Sequence, residues 1–300
     1  MRVNPLYMND LVGSLDATTG SEAQLTEELG SGSRVNALSD DPVAAGQNVL
    51  LGTQISGDDT FSQTASSTQS MLQVTDSALS TVVSQLTSAV SLATEGNNGT
   101  LNASDLQSIS NQLTGIRNEV LSMANTTYLG QYVFSGSKGT TQPFTLDSSA
   151  ASGVTYNGDD TPNSVSYLET PNGQKIQLNI PGDQLFLANG NNVLGTLNNL
   201  IADFSSGTAG PTAEADAQQL NGALGYVTQQ RVIIDNSLSR IETAENYTQG
   251  ESTQLTAAQT TMMQADIGQV ATQLSTAQTQ QSALSQVIAM LGKQSLFNDL

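Results

Sequence analysis

The sequence predicts a mainly α-helical protein: an elongated rod of long antiparallel helices formed by both chain ends, with a small β domain inserted between them. Three observations support this prediction. Apolar residues near both ends recur at spacings of three and four. No proline follows Pro211, so nothing in that stretch prevents a long helix. Most aromatic residues, by contrast, lie in the middle segment between Tyr128 and Phe204, which indicates a separate compact domain there.

The C-terminal stretch from Thr261 to Leu300 carries the clearest helical pattern. Its apolar positions form a heptad seam with a polar break at Gln281. A helix with one apolar seam and no globular body behind it needs a partner helix. The predicted interface residues of this stretch are Ile267, Val270, Leu274, Leu284, Ile288, Leu291, Leu296 and Phe297.

The N-terminal stretch has a matching seam, interrupted by Thr18 and Glu22. Two matching seams predict that the chain folds back and joins its ends as coiled-coil termini. The free energy gained by burying the few seam side chains is smaller than the entropy cost of ordering the backbone of the pair. We therefore expect the pair to become ordered only by packing against other subunits. The predicted interface residues at this end are Met8, Leu11, Leu15, Leu25 and Leu29.

The N-terminal seam should lie on a helix from about Asn4 to Leu29. Further helices are predicted between the two ends. Asp41-Pro42 is typical of a helix start, since Asp caps and proline suits the first helical position. That second helix should reach about Thr94, with a possible break at Gly57. The other predicted features are a helix from about Ser104, a helix opening at Pro211 and a joint at Gly250. Apart from the terminal seams, the apolar stripes are expected to form intramolecular core.

The middle segment predicts short strands. The candidates are residues 132–134, 154–156, 164–167 and 175–180, with turn sequences Asn157-Gly158 and Asn172-Gly173 between them. The predicted domains are therefore residues 1–40 with 258–300 as terminal coiled coil, 41–134 with 208–257 as helical rod, and 135–207 as inserted β domain.

Composition excludes several functions. There are 8 basic and 27 acidic residues, for a net charge of −19, which argues against nucleic acid and anionic membrane as partners. The absence of cysteine and histidine removes disulfides, thiolate metal sites and the commonest catalytic base. No apolar run approaches the ~20 residues of a membrane span. We therefore predict no catalytic residue, no metal site and no cofactor, and the protein is not expected to be an enzyme.

Three runs resemble the flagellin superfamily. Residues 31–36 read Ser-Gly-Ser-Arg-Val-Asn and residues 39–45 read Ser-Asp-Asp-Pro-Val-Ala-Ala, similar to the N-terminal signature of that superfamily. The Asp-Asp-Pro form resembles its hook-associated branch, whereas flagellins usually have Lys-Asp-Asp-Ala-Ala-Gly. The run 130–136, Gly-Gln-Tyr-Val-Phe-Ser-Gly, is similar to the same branch. The signature residues are Ser31, Gly32, Arg34, Asn36, Asp40, Asp41 and Pro42.

The resemblance implies a structural junction protein of the bacterial flagellum. Its expected partners are hook-associated protein 1, flagellin, further copies of itself in a ring-like layer, and an export chaperone before secretion. It also implies an extracellular location, reached through the flagellar type III apparatus without a cleaved signal peptide. Two alternatives stay open at this point: a short self-polymerising flagellin, and a secreted enzyme or receptor-binding module carried by residues 135–207.

Overall fold

A computed structural model describes residues 5–161, 164–207 and 209–296. These residues form long helices at both ends and short two-stranded sheets between them, which confirms the predicted mainly α fold with a small insert. The helices are α1 (Pro5–Ser31), α2 (Pro42–Gly96), α3 (Ala103–Ala124), α4 (Gly182–Phe186), α5 (Val193–Ser205), α6 (Pro211–Met263) and α7 (Ile267–Leu296). The strands are β1 (Thr127–Tyr128), β2 (Gln131–Tyr132), β3 (Phe144–Leu146), β4 (Val154–Tyr156), β5 (Tyr167–Glu169) and β6 (Lys175–Gln177).

The chain divides into two compact units. The first unit comprises Met1–Gly57 and Gly250–Leu300, and the second comprises Asp58–Gln249. Helices α2 and α6 contribute residues to both units. The finer three-part division predicted from the sequence stays a prediction.

In the first unit, α1 packs against α7. Gln281 Nε2 donates to Thr19 Oγ1 at 3.4 Å, and Ser33 forms an antiparallel bridge with Gln264. Residue numbers that rise along α1 therefore pair with residue numbers that fall along α7, so the two helices are antiparallel. The predicted pairing of the two chain ends is confirmed.

The second unit has an apolar core built by α2, α3, α5 and α6. The apolar stripe of α2 from Phe61 to Ala93 lies in that core, with Val90 half-buried at its edge, as expected for the stripes outside the terminal seams. Arg231 joins α6 to α2 through a two-point pair with Asp76, with Nε 2.6 Å from Oδ1 and Nη2 3.1 Å from Oδ2.

Three antiparallel hairpins make up the insert: β1–β2, β3–β4 and β5–β6. The predicted strand at 154–156 is confirmed, whereas the others are shorter than predicted or displaced by a few residues. The β1–β2 turn places Leu129 and Gly130 at φ 48° and 80°, a left-handed pair typical of tight hairpins. Phe186 packs edge-on against both Phe134 and Phe144, with ring centroids 5.5 and 5.6 Å apart.

Helix α5 lies in the segment that the sequence analysis assigned to the β domain. Asn192 caps it, because its Oδ1 accepts from the Gly195 N–H at 2.8 Å. The helix packs on α3, where Ser110 Oγ donates to the Ile201 carbonyl at 2.9 Å. The sequence does contain the apolar spacing of a helix here, but the neighbouring strand signals dominated the interpretation. The residues with that spacing are Leu194, Leu197, Leu200, Ile201 and Phe204.

Two predicted helix breaks are wrong. Helix α2 passes through Gly57, and α6 passes through Gly250 to end at Met263. One glycine costs a helix only about 1 kcal/mol relative to alanine, so glycine alone does not set a boundary. The break before α7 lies instead at residues 264–266, where Asp266 Oδ1 accepts from the Gln269 N–H at 3.1 Å and caps the next helix.

Candidate assembly site

The connector between α1 and α2, residues 32–41, is bound to the break between α6 and α7. The Arg34 N–H donates to the Met263 carbonyl at 2.7 Å, and the Ala265 N–H donates to the Gly32 carbonyl at 3.0 Å. Ser33 Oγ also lies 3.2 Å from the Met263 carbonyl oxygen. These bonds pair the two non-helical segments like strands, which fixes where the α1–α7 pair begins.

Arg34 adds a side-chain connection to this backbone pairing. Its Nη1 lies 3.1 Å from Asp41 Oδ2, and its Nη2 donates to the Met262 carbonyl at 3.3 Å. Two divergent N–H groups on one rigid plane are a property of arginine that lysine lacks. The residue therefore reaches the start of α2 and the end of α6 at once.

Asp41 caps α2, as its position before Pro42 predicted, and Asp40 closes the turn that precedes it. Asp40 Oδ2 accepts from the N–H groups of Asn36 at 3.0 Å and Ala37 at 2.7 Å, and these bonds lower its pKa. Asp41 Oδ1 accepts from the Ala44 N–H at 3.0 Å. That bond first, and Arg34 second, lower the pKa of Asp41.

The other signature residues shape the turn. Gly32 adopts φ 70°, where a side chain would be strained. Ser31 Oγ accepts from the Ser33 N–H at 3.1 Å, and Asn36 Nδ2 donates to the Ser33 carbonyl at 3.1 Å. Pro42 is the first residue of α2. The structure thus places five of the seven signature residues in the connector, and the other two, Ser31 and Pro42, at the helix ends on either side of it.

The predicted seam residues lie along the α1–α7 pair, but the pair covers them incompletely. Half-buried side chains along both helices are Met8, Leu11, Leu15, Leu25, Leu274, Leu284, Ile288 and Leu291. Val270 is buried, whereas Leu29 and Ile267 are 37% and 47% exposed. Among the side chains described in α1, residues 7–31, none is fully buried. The Leu296 side chain and Phe297 lie outside the described residues.

A second apolar set was missed by the sequence analysis. We call it the α2 apolar surface: Leu38, Val43, Val49 and Leu50, each 67–70% exposed in the single chain. The seven-residue spacing of Val43 and Leu50 puts both on one face of α2. That spacing was a usable signal, but the glycines around it drew the interpretation toward a helix break. Two exposed aliphatic residues on one helix face, with Val49 beside them on α2 and Leu38 in the connector before it, are typical of a surface that another molecule covers.

Comparison with known proteins supports the family resemblance. Residues 9–139 match the bacterial flagellin N-terminal helical region. The flagellar hook-associated protein 3 of Salmonella typhimurium is 30% identical over 148 residues, which cover 48% of this chain and 46% of that protein. The protein of the same name from Escherichia coli is 24% identical over 241 residues, covering 73% of this chain and 74% of its own. The matched part thus spans about half of the first relative and three quarters of the second.

A solved structure shows the same fold. The flagellar junction protein FlgL from Legionella pneumophila superposes with a TM-score of 0.58 at 17% identity. The match covers 73% of this chain and 100% of that chain. Together, the sequence matches and this fold support a FlgL-type protein of the flagellin superfamily.

The seven signature residues all fall within the matched N-terminal region. Across the described residues, no helix combines the length and apolar character needed to cross a membrane. Nor do residues 5–161, 164–207 and 209–296 bring three or more acidic side chains together in an arrangement that would hold a metal ion. The incompletely covered apolar surface of the first unit is the feature that suggests a function.

Proposed function

We propose that this protein is a structural junction subunit of the bacterial flagellum, which links the hook to the flagellin filament by helix–helix packing. The observation that carries the proposal is the uncovered apolar surface of the first unit, on α2 and on both terminal helices. Relatives named hook-associated protein 3 and the solved FlgL junction protein support the same role.

The packing requires other subunits. The α1–α7 pair leaves Tyr7, Val12, Val287 and Met290 between 40% and 66% exposed, in addition to the α2 apolar surface. Apolar area of this kind gains about 25 cal/mol per Å² when it is removed from water. Neighbouring copies in a ring-like layer would cover part of it, and hook-associated protein 1 and flagellin would cover the rest at the two ends.

Before assembly the same surface needs protection. An export chaperone that covers the terminal helices would keep them from associating in the cytoplasm, and the flagellar type III apparatus would then deliver the subunit to the extracellular flagellum. The net charge of −19 favours solubility of the monomer and makes nucleic acid and anionic membrane poor partners. The proposed role needs no catalysis and no cofactor.

A truncation tests the junction role. In a strain that lacks its own junction gene, the full chain should restore filament growth and swimming. A chain without residues 265–300 loses α7 and should restore neither, although the second unit, Asp58–Gln249, is untouched. Circular dichroism of the purified truncation checks that the second unit still folds. Filament growth supported by the truncated chain would overturn the packing mechanism.

The alternative of a short self-polymerising flagellin has less support, because the relative matched over 241 residues is named hook-associated protein 3. Electron microscopy separates the two functions. A junction subunit at high concentration should stay short or form small rings, whereas a flagellin should form long filaments unaided.

A further inference from the structure

The second unit contains a cavity of about 290 Å³ between the β5–β6 hairpin and α6. Its size is at the lower limit of small-molecule sites. The proposed junction role makes no use of it. The lining side chains that carry the argument are Asn172 and Gln174 from the hairpin, and Arg240, Tyr247 and Thr248 from the helix.

Thr248 is the first sign that the cavity receives a ligand. Its side chain is 1% exposed, and its Oγ1 has no hydrogen-bond partner among the described residues. Thr243, five residues earlier on α6 and also in the lining, donates its hydroxyl to the Ser239 carbonyl at 2.8 Å. A buried hydroxyl left unpaired is costly, so Thr248 is suited to bonding with a polar group held in the cavity.

Arg240 supplies a cation. Its Nη2 donates to the Lys175 carbonyl at 3.1 Å, which orients the guanidinium at the cavity. No Asp or Glu occurs among the residues that line the cavity, although the chain has 27 of them. Among the described residues, Arg240 forms no ion pair with a carboxylate. An oriented guanidinium in an acid-free lining suits a ligand carboxylate.

Tyr247 supplies a flat apolar wall, and its side chain is 62% exposed. Asn172 and Gln174 add amide groups that both donate and accept hydrogen bonds. A ring with one apolar face, several hydroxyls and a carboxylate would use all of these groups together. We propose that this cavity binds a sugar acid of the uronate class, with its carboxylate on Arg240, its ring face on Tyr247 and its hydroxyls on Thr248 and the two amides.

Titration by NMR of the full-length monomer tests the proposal. D-glucuronate should bind with a Kd on the order of 1 mM, as expected for a small ligand, and D-glucose and acetate should each bind at least about tenfold more weakly. A trisaccharide of galacturonate identifies the source: tighter binding than the single sugar acid indicates an acidic polysaccharide, and equal binding indicates a free sugar acid.

Variants connect the binding to the named groups. Arg240→Gln should weaken glucuronate about tenfold and leave the weak glucose signal unchanged, and Thr248→Val, which keeps the side-chain volume, should weaken glucuronate several-fold. Arg117→Gln, a change of the same kind at a half-buried arginine outside the lining, should have no effect. Thermal melting confirms that each variant is folded. Equal affinity for acetate and glucuronate, or no loss in folded Arg240→Gln, would overturn the proposal, and neither result bears on the junction role.

Discussion

Arg34 reaches Asp41 across the connector, with Nη1 3.1 Å from Oδ2, while its backbone N–H donates to Met263. One residue therefore contacts the N-cap of α2 and the last turn of α6. Both partners of the ion pair are partly exposed, at 47% and 31%, so the pair adds little by charge alone. Its importance is geometric: it holds the turn from which the α1–α7 pair extends.

We expect Arg34→Lys to loosen this turn although the charge is kept. Lysine cannot reach Asp41 and the Met262 carbonyl simultaneously. The Ala265 amide, which donates to Gly32 at 3.0 Å, should exchange its hydrogen a few-fold faster. Hydrogen–deuterium exchange measures this directly, with Arg117→Lys in the second unit as the matched control. Unchanged protection at Ala265 would show that the backbone bonds suffice without Arg34.

The first unit should lose stability in acid. The pKa values of Asp40 and Asp41 lie below their ordinary 3.8 in the folded chain, so the unfolded chain binds more protons near that pH. Their contribution to stability is full above 3.8 and declines as the pH falls through the folded-state values. Exchange at the Ala37 and Ala44 amides should accelerate over that range. Asp41→Asn, which keeps a capping oxygen, should remove the acid dependence at Ala44 but keep it at Ala37.

The sequence predicted an element correctly where a single structural rule determined that element. Asp41-Pro42 located the start of α2, because cap chemistry is local, and the matching seams predicted the α1–α7 pair. Prediction failed where a weak signal competed with tertiary packing. Gly250 costs too little to break α6, and α5 is stabilised by packing on α3, which no local propensity records.

The candidate site was predicted in part for a similar reason. Periodicity locates residues that share a helix face, and so it found the seam of the α1–α7 pair. Periodicity does not show which helix face stays exposed to solvent once the chain has folded. Leu38 lies in the connector, outside any helix, so its 70% exposure becomes visible only once the turn has been built.

Leu50→Ser should separate assembly from folding. Leu50 is 67% exposed in the single chain, so its replacement should change the free energy of unfolding of the monomer by less than about 0.5 kcal/mol. Complementation of swimming should nonetheless fall sharply, because the α2 apolar surface is covered in the proposed assembly. Gln47→Ser, at an exposed polar position on the same helix, serves as control. Normal swimming with Leu50→Ser would exclude this surface from the interface.

Phe186→Ala should destabilise the second unit. The Phe186 ring is fully buried and packs edge-on against two other phenylalanines. Removing a buried phenylalanine side chain costs roughly 3–5 kcal/mol, which chemical denaturation followed by circular dichroism would detect. Tyr167→Ala, an aromatic truncation at a side chain 57% exposed, should cost under about 0.5 kcal/mol. Similar losses for both variants would contradict the assignment of Phe186 to the core.

Limited proteolysis of the free monomer should trim both ends and leave a resistant middle. In the first unit, the described side chains of α1 are at most half-buried, and Val270 and Ala277 are the buried positions of α7 among residues 267–291. The second unit has a continuous apolar core. Because proteases cleave locally opened chain, the fragment that persists should contain Asp58–Gln249, as judged by mass spectrometry. In assembled flagella the same ends should resist cleavage, since neighbouring subunits would cover them. If both ends of a dilute monomer resisted cleavage as well as the middle does, the terminal pair would be stable alone. The need for partner subunits would then lose its physical basis.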